Sequence, residues 1–260
     1  MDLLIQEKHR VLHITLNAQS KRNALTAAMC AGIVDAVEQA QHKENIGCIL
    51  ICAAGSVFCS GMDLDEAADP QGPDLQCIHE RLFSLGASSL KPIVVSVNGA
   101  ALGGGLGLAA QGHVVMSSDL AMFGLPEIRI GLWPFFVYRA VEAAIGARRT
   151  LELSLTGHFF NPERAQQWGL VHEICPSAEL GDRAKVLSRE LARSSPVAIE
   201  AGMQYVRGSR RKSWTGAGQL AAELRAKLMK SDDFKEGLAA FKEKREPRWP
   251  GMPSHFYEKH

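Results

Sequence analysis

The 260-residue sequence lacks several features that mark whole classes of protein. Its six cysteines are about 2% of the chain, far below the content of a disulfide scaffold, and no C-x-x-C pair or Cys/His cluster has the spacing of a zinc site. It contains no run of about 18 apolar residues, as a membrane-spanning helix requires. A basic segment followed by an apolar one is missing from the N-terminus, so no secretory signal is visible. We therefore expect a cytoplasmic protein with reduced, buried thiols and no bound metal.

The sequence also lacks a large excess of positive or negative charge. The chain has 29 Lys and Arg against 28 Asp and Glu, a formal net charge of +1. Such a chain has no overall field to hold nucleic acid or an anionic membrane surface, so neither is expected as a partner. An anionic ligand would have to be bound by a local basic patch. Apolar residues make up 46% and charged residues 22%, which is typical of a packed globular domain.

The N-terminal half alternates between strand-like and helix-like segments. Strands are predicted at 3–7, 10–16, 48–54, 92–99, 113–118 and 120–124. Helices are predicted at 27–41, behind Thr26 as N-cap, and at 75–89, with a loop at 56–74. From about residue 135 the pattern is helical, at 135–144, 147–154, 162–167, 179–194, 197–207, 216–230 and 232–245, with one strand at 171–174. This order predicts an α/β fold in one continuous domain.

Two glycine-bearing loops each follow a buried strand. They are GSVFCSGMDL at 55–64 and NGAALGGGLGLA at 98–109. Glycine lets backbone approach a ligand closely and exposes N–H groups, so the two loops could aim one N–H each at a single oxygen, forming an oxyanion hole. The alternative is close helix–strand packing around Gly103, Gly104 and Gly105.

A dinucleotide site is a weaker alternative for the second loop. Gly105, Gly107 and Ala110 match G-x-G-x-x-A, and an acidic residue follows at Asp119. Asp119 lies only 14 residues after the first of these glycines, whereas such a site places its carboxylate about 20 residues further on. The spacing therefore disfavours nucleotide binding.

A third candidate element is FGLPEIRIGLWP at 123–134. Its apolar neighbours would desolvate Glu127 and raise the pKa of its carboxyl, which suits a general base near neutral pH. The alternative is a surface glutamate paired with Arg129. The aromatic residues that follow, Trp133, Phe135 and Phe136, could line an acyl pocket or could pack into the core.

Taken in order, these segments resemble the crotonase (enoyl-CoA hydratase/isomerase) superfamily over nearly the whole chain. KRNAL at 21–25 resembles the family's early element, FCSGMDL at 58–64 its F-x-x-G-x-D-L loop, and 98–109 its N-G-x-A-x-G-G-G loop. The segment 123–134 is similar to F-x-x-P-E-x-x-x-G. LTGHFFNPERAQQWGLV at 155–171 and DDFKEGLAAFKEKREPRW at 232–249 resemble two later family motifs.

The resemblance implies a fold, a ligand and a set of site residues. The fold would be a ββα spiral core at residues 1–178, carrying the CoA and acyl site, followed by a C-terminal helical trimerisation region at 179–260. Acyl-CoA would be the substrate, so no cofactor is implied, and the chain would assemble with itself as a homotrimer or hexamer. The implied site residues are the oxyanion-hole N–H groups of Met62 and Gly104, the CoA contacts Lys21 and Arg22, and, from a neighbouring subunit, Phe241 and Lys244.

The departures from the family pattern narrow the implied chemistry. Hydratases of the family use two glutamates, and Gly107 stands at the first of the two positions, which leaves Glu127 as the single acid/base. Phe135 stands where the dienoyl isomerase type carries an aspartate. A single base suits double-bond isomerisation, which we favour. The alternatives are an enoyl-CoA hydratase, including the methylglutaconyl type, and a non-catalytic acyl-CoA-binding relative.

Overall fold

The computed structural model of this chain describes residues 2–69 and 75–257. Ten strands lie within these ranges: β1 Leu3–Lys8, β2 Val11–Leu16, β3 Cys48–Ala53, β4 Val57–Cys59, β5 Ile93–Val97, β6 Ala100–Leu102, β7 Val114–Ser118, β8 Met122–Gly124, β9 Phe159–Phe160 and β10 Glu173–Cys175.

The same ranges contain twelve α-helices and three short 3-10 helices. The α-helices are α1 Ala27–Gln41, α2 Leu64–Ala68, α3 Gln76–Leu82, α4 Leu85–Ser88, α5 Gly104–Ala109, α6 Phe135–Ile145, α7 Ala147–Thr156, α8 Pro162–Gln167, α9 Ser177–Ala192, α10 Pro196–Ser209, α11 Trp214–Leu228 and α12 Asp232–Glu243. The 3-10 helices are Gln19–Lys21, Pro126–Ile130 and Ser254–Phe256. Within the described part of the chain, every helix is too short or too polar to cross a membrane.

The strands form two sheets, and from β3 to β8 successive strands of the chain enter one sheet and then the other. The larger sheet has the order β1-β2-β3-β5-β7-β10, and the smaller has the order β4-β6-β8-β9. The successive strand pairs β3/β4, β5/β6 and β7/β8 each give one strand to each sheet, mostly in parallel pairing. The chain therefore advances as a spiral of strand pairs, and the loops that follow equivalent strands of each turn lie near one another.

The larger sheet is covered on both faces, which explains its continuous apolar strands. Ile49, Ile51 and Val95 lie in the core cluster that contains the apolar face of α1. The intervening residues Leu50 and Val94 face the opposite side, in a second cluster with residues of α9. The domain division predicted after residue 178 falls within α9, which covers the sheet, whereas α10 and α11 contain no buried residue.

Most predicted elements are present, and α1 has the predicted bounds. The Thr26 side chain accepts a hydrogen bond from Met29 N at 3.2 Å and so caps this helix. The predicted loop at 56–74 instead contains β4 and α2, and its residues 70–74 lie outside the described residues. The short strands β6 and β9 were also not predicted, because two or three residues are too few for a periodic pattern.

The single helix predicted at 75–89 is divided into α3 and α4. The cause is tertiary. Gly86 N donates to Gln111 Oε1 at 2.9 Å, and Gly86 O lies 2.8 Å from His113 Nε2. A Cβ on Gly86 would lie only 2.5 Å from Gln111 O. These contacts hold the backbone of α4 close to the end of α5 and set its direction apart from that of α3.

All six cysteines are free thiols. Cys30, Cys48, Cys59 and Cys175 are buried, as predicted. Cys77 is exposed, because it lies on the outer face of α3 while His79 and Leu82 occupy the inner face.

Candidate active site

A cavity of about 340 Å³ lies between the two glycine loops, α3 and the start of α6. Six residues predicted for the site line it: Met62, Gly104, Glu127, Trp133, Phe135 and Phe136. The four residues predicted to contact CoA, Lys21, Arg22, Phe241 and Lys244, do not line it. The fold thus brings together both glycine loops and the Pro-Glu segment from three separate turns of the spiral.

The first glycine loop directs one N–H towards this cavity. Leu25 N donates to Gly61 O at 2.7 Å, and Asp63 N donates to Leu25 O at 3.0 Å. Because consecutive backbone groups alternate in direction along an extended segment, the N–H of Met62 points away from Leu25. This N–H has no hydrogen-bond partner among the described residues. Gly61, at φ +109°, provides the turn that precedes it.

The second glycine loop presents another N–H beside the first. Gly103 has φ +52° and precedes α5, whose first residue is Gly104. The Gly104 N–H also lacks a partner within the described ranges. A Cβ built on Gly104 would lie 3.5 Å from Met62 N, so the two backbone segments are adjacent. The packing alternative holds for Gly105 alone, where a Cβ would lie 2.2 Å from Cys59 O.

Glu127 lies in the 3-10 helix Pro126–Ile130. Its Oε2 is buried and has no hydrogen-bond partner in the described part of the chain. Burial raises the pKa of its carboxyl above the ordinary 4.5, because the charged form is desolvated. A Cβ on Gly103 would lie 2.8 Å from Glu127 Oε1, so the carboxylate sits directly against the second glycine loop.

The alternative of a surface pair between Glu127 and Arg129 is wrong. No ion pair joins them among the described residues, and the Arg129 guanidinium lies over the Phe159 ring at 4.7 Å. Since its carboxylate is not neutralised by that cation, Glu127 retains its basicity.

The aromatic residues form the wall and mouth of the cavity. Phe135 is 73% exposed and Phe136 is 43% exposed, so these two side chains do not pack into the core. Trp133 stacks on Tyr138 with ring centroids 6.4 Å apart. These rings lie at the start of α6, where the helix opens onto the cavity.

The KRNAL segment braces the first glycine loop. Asn23 is buried, and its Nδ2 donates to Ala54 O at 3.0 Å and to Val57 O at 2.8 Å. Lys21 Nζ lies 2.9 Å from Asp63 Oδ2. The Lys21 ammonium and the N–H groups that Asp63 accepts at the start of α2 lower the pKa of this carboxyl.

Two basic residues predicted to bind CoA, Lys21 and Arg22, therefore differ in their ion pairing. The charge of Lys21 is shared with Asp63, whereas Arg22 is exposed and has no ion pair within the described ranges. Phe241, 83% exposed, lies in the last turn of α12, and Lys244 follows that helix with φ 54°. Their role at a neighbouring subunit's site stays a prediction.

Packing explains the glycine at position 107. A Cβ there would lie 2.4 Å from Val137 Cγ1, 2.8 Å from Val137 Cβ and 2.9 Å from Phe83 Cε1. Val137, on α6, is 4% exposed and fills the space into which a side chain at 107 would project.

His79 also lines the cavity and is only 6% exposed, although it is not among the site residues predicted from the sequence. A usable signal exists, because His79, Leu82 and Phe83 have the i, i+3, i+4 spacing of one helix face. This spacing places the imidazole on the apolar side of α3.

The dinucleotide alternative is not supported. Asp119 Oδ1 accepts a hydrogen bond from Ser177 N at 3.1 Å, at the start of α9. Its carboxylate therefore holds a helix end instead of facing the second glycine loop.

Comparisons with known proteins agree with this arrangement. The sequence profile of the enoyl-CoA hydratase/isomerase family matches residues 6–252. A 2,3-dehydroadipyl-CoA hydratase from Escherichia coli is 32% identical over 253 residues, covering 96% of this chain and 99% of the relative. A 1,2-epoxyphenylacetyl-CoA isomerase from the same organism is 29% identical over 249 residues, covering 93% and 95%. The crystal structure of an enoyl-CoA hydratase from Mycobacterium smegmatis superposes with a TM-score of 0.89 at 25% identity, covering 96% and 99%.

Proposed function

Because this chain belongs to the enoyl-CoA hydratase/isomerase family, we propose that it transfers protons on an acyl-CoA thioester, with double-bond isomerisation as the main reaction. One observation carries the proposal. The buried, unpartnered carboxylate oxygen of Glu127 and the N–H groups of Met62 and Gly104 belong to one apolar cavity. An acyl chain fits such a cavity, and these three groups supply what enolate chemistry requires.

The two N–H groups bind the thioester carbonyl oxygen. As a proton leaves the acyl chain, negative charge develops on this oxygen, and preorganised donors stabilise it without reorganising. Each such donor contributes roughly 2.7–4 kcal/mol to the transition state. Gly61 and Gly103 have positive φ values that most other residues avoid, and they set the direction of these donors.

Glu127 moves the proton. In a 3-enoyl-CoA its carboxylate takes a proton from the α-carbon, and the electron pair of that C–H bond passes into the conjugated dienolate. The same carboxyl group then returns the proton to the γ-carbon, which gives the 2-enoyl-CoA with no other reactant. The raised pKa of Glu127 makes the group a better base than an exposed glutamate.

The CoA portion would be bound outside this cavity. We assign Arg22 the larger share of phosphate binding and Lys21 the smaller, because Lys21 is already paired with Asp63. Phe241 and Lys244 would contact CoA from a neighbouring subunit of a homotrimer or hexamer. A cytoplasmic location stays part of this proposal.

Water addition is the second candidate, favoured by the name of the E. coli hydratase that this chain resembles at 32% identity. Against it, Val137 fills the space in which a second carboxylate would lie. A non-catalytic acyl-CoA binder is the alternative outside enzymes, and it would hold the thioester without moving protons.

The test is deuterium exchange on but-3-enoyl-CoA in heavy water, read by mass spectrometry. Wild-type protein should label the substrate and form but-2-enoyl-CoA. Glu127→Gln, which keeps the volume and removes the base, should slow exchange by about 10²–10⁴-fold while thioester binding persists. Glu152→Gln, the same change at an exposed site on α7, is the matched control and should have no effect.

The pH profile provides a second check. The carboxylate form must be present for proton abstraction, so the exchange rate should fall as the pH is lowered through a pKa above 4.5. Wild-type exchange rates in Glu127→Gln would remove the assignment. Efficient hydration of but-2-enoyl-CoA by wild type would favour the hydratase, and tight binding without exchange would favour the binder.

A further inference from the structure

His79 is buried, and its hydrogen bonding differs from that of His113, which is half-buried, and of His172, which is exposed. His113 Nδ1 accepts from Ile93 N at 2.9 Å, and its Nε2 lies 2.8 Å from Gly86 O. His172 Nδ1 accepts from Val115 N at 3.0 Å. These two side chains hold the fold together. Neither ring nitrogen of His79 has a hydrogen-bond partner among the described residues, although the residue is only 6% exposed.

The surroundings of His79 are aromatic. Its ring centroid lies 5.8 Å from that of Phe83 and 5.6 Å from that of Phe136, which meets it edge-on. All three rings line the cavity that we assign to the acyl chain. In the described part of the chain, the imidazole is therefore open to a polar partner from the cavity side.

The charged groups near this ring are committed elsewhere. Within the described ranges, Glu66 is the charged group that shifts the pKa of this ring, and Glu66 Oε2 accepts from Ala27 N at 2.7 Å. Arg129 also lines the cavity but stacks on Phe159. Burial lowers the pKa of His79 below the ordinary 6.5, so the ring is neutral at pH 7. A neutral imidazole offers one N–H donor and one nitrogen acceptor.

The ring N–H and the ring nitrogen have no partner among the described residues, so both are open to water or to a ligand in the cavity. A hydrocarbon chain there would displace that water and leave both unsatisfied. A carboxylate would bring a charge against two phenyl rings, which solvate it poorly. An uncharged oxygen, which can both accept from the N–H and, as a hydroxyl, donate to the ring nitrogen, matches the site.

We propose that His79 is a specificity-determining residue, and that the preferred substrate is an acyl-CoA whose chain carries an uncharged oxygen, a hydroxyl or carbonyl, beyond the reacting carbons. This inference rests on the proposed function, since it requires the acyl chain to occupy the cavity. It adds a substrate class that the oxyanion hole and Glu127 do not define.

The test measures binding of saturated probes, which do not react. Hexanoyl-CoA is compared by calorimetry with hexanoyl-CoA hydroxylated at carbon 4, 5 or 6. In wild type at pH 7.5, at least one hydroxylated probe should bind about tenfold or more tightly than hexanoyl-CoA, as expected for one buried hydrogen bond.

Three variants separate recognition from packing. His79→Phe keeps the aromatic contact and removes both nitrogens, so it should abolish the preference while leaving hexanoyl-CoA affinity unchanged or higher. His79→Gln keeps a donor and an acceptor and should restore part of the preference. His42→Phe, the same change at an exposed position outside the cavity, is the matched control.

A measurement on wild type alone covers the case in which the variants fold poorly. The ring nitrogen signals of His79 in NMR spectra should move when the preferred hydroxylated probe binds, and should move less with hexanoyl-CoA. Equal affinity for all four probes would overturn the inference while leaving the acyl-CoA site intact. Failure of hexanoyl-CoA itself to bind would overturn the proposed function and the inference together.

Discussion

The packing around Gly107 predicts that its replacement by alanine destabilises the protein, whereas the same change in most helices is stabilising. Replacing glycine by alanine inside a helix usually stabilises a protein by about 0.5–1 kcal/mol, because glycine loses more backbone entropy on folding. Gly107, within α5, should behave in the opposite way. A Cβ there would lie 2.4 Å from Val137 Cγ1 and 2.9 Å from Phe83 Cε1, closer than real Cβ contacts come.

The net magnitude follows from two opposed effects. Inserting atoms into a filled site costs about 1–3 kcal/mol, and the gain in helix propensity offsets up to about 1 kcal/mol of this. Gly107→Ala should therefore lower the free energy of unfolding by up to about 2 kcal/mol. Gly181→Ala is the matched control, since Gly181 lies in α9 with no atom within 4 Å of its would-be Cβ. That variant should be more stable than wild type.

Val137→Gly identifies the atoms responsible. It removes both the Cγ1 and the Cβ of Val137 that position 107 would meet, and in the Gly107→Ala background it should relieve the clash with Val137 while the contact with Phe83 Cε1 at 2.9 Å stays. Because the two side chains are in contact, the double variant should be less destabilised than the single effects predict, by about 1–3 kcal/mol. For the same reason Gly107→Glu alone should fail to place a second carboxylate in the cavity, and Val137→Gly would remove the closest of the atoms that prevent it.

Urea unfolding at one fixed protein concentration measures these differences, with the slope of each transition compared between variants. Two results would refute the packing account. One is a Gly107→Ala variant as stable as Gly181→Ala. The other is a double-mutant cycle that is additive to within about 0.5 kcal/mol.

Two further predictions concern regions outside the cavity. At low salt, calorimetry should show that Arg22→Gln weakens CoA binding more than Lys21→Gln does, because Lys21 is paired with Asp63. The difference between the two variants should shrink at high salt. Equal CoA affinities of the two variants at low salt would contradict the assignment. The helices α10–α12 leave large apolar side chains exposed, among them Trp214 at 96%, Phe234 at 43% and Leu238 at 44%. Light scattering should therefore give a mass near three or six times the 28.3 kDa of one chain. A stable monomer would contradict this prediction.

Several features were readable from local sequence because local physics decides them. Thr26 and the apolar spacing behind it specify α1, and the continuous apolar runs of β3 and β5 reflect burial on both faces of a parallel sheet. The family profile confirms the predicted family membership. The prediction was possible because six ordered motifs are far more specific than any single glycine loop. Glu127 was singled out from its apolar neighbours, and its burial follows from them.

Other features depend on contacts between distant segments, which no local pattern contains. The direction of the Met62 N–H follows from the pairing of Gly61 and Asp63 with Leu25, and its neighbour Gly104 comes from another turn of the spiral. The division of the helix predicted at 75–89 follows from the packing of Gly86 against Gln111.

Sequence alone therefore determined the α/β class, the order of the longer elements and the residue types that the chemistry needs, since periodicity and turn chemistry act over a few residues. Only the tertiary structure decided between the packing alternatives. It showed that Glu127 is separate from Arg129, that Val137 occupies the space beside Gly107, and that the His79 ring faces the cavity with no hydrogen-bond partner in the described ranges. The physical reason is that burial and hydrogen-bond satisfaction depend on which distant segments pack together, and packing is set by the whole fold.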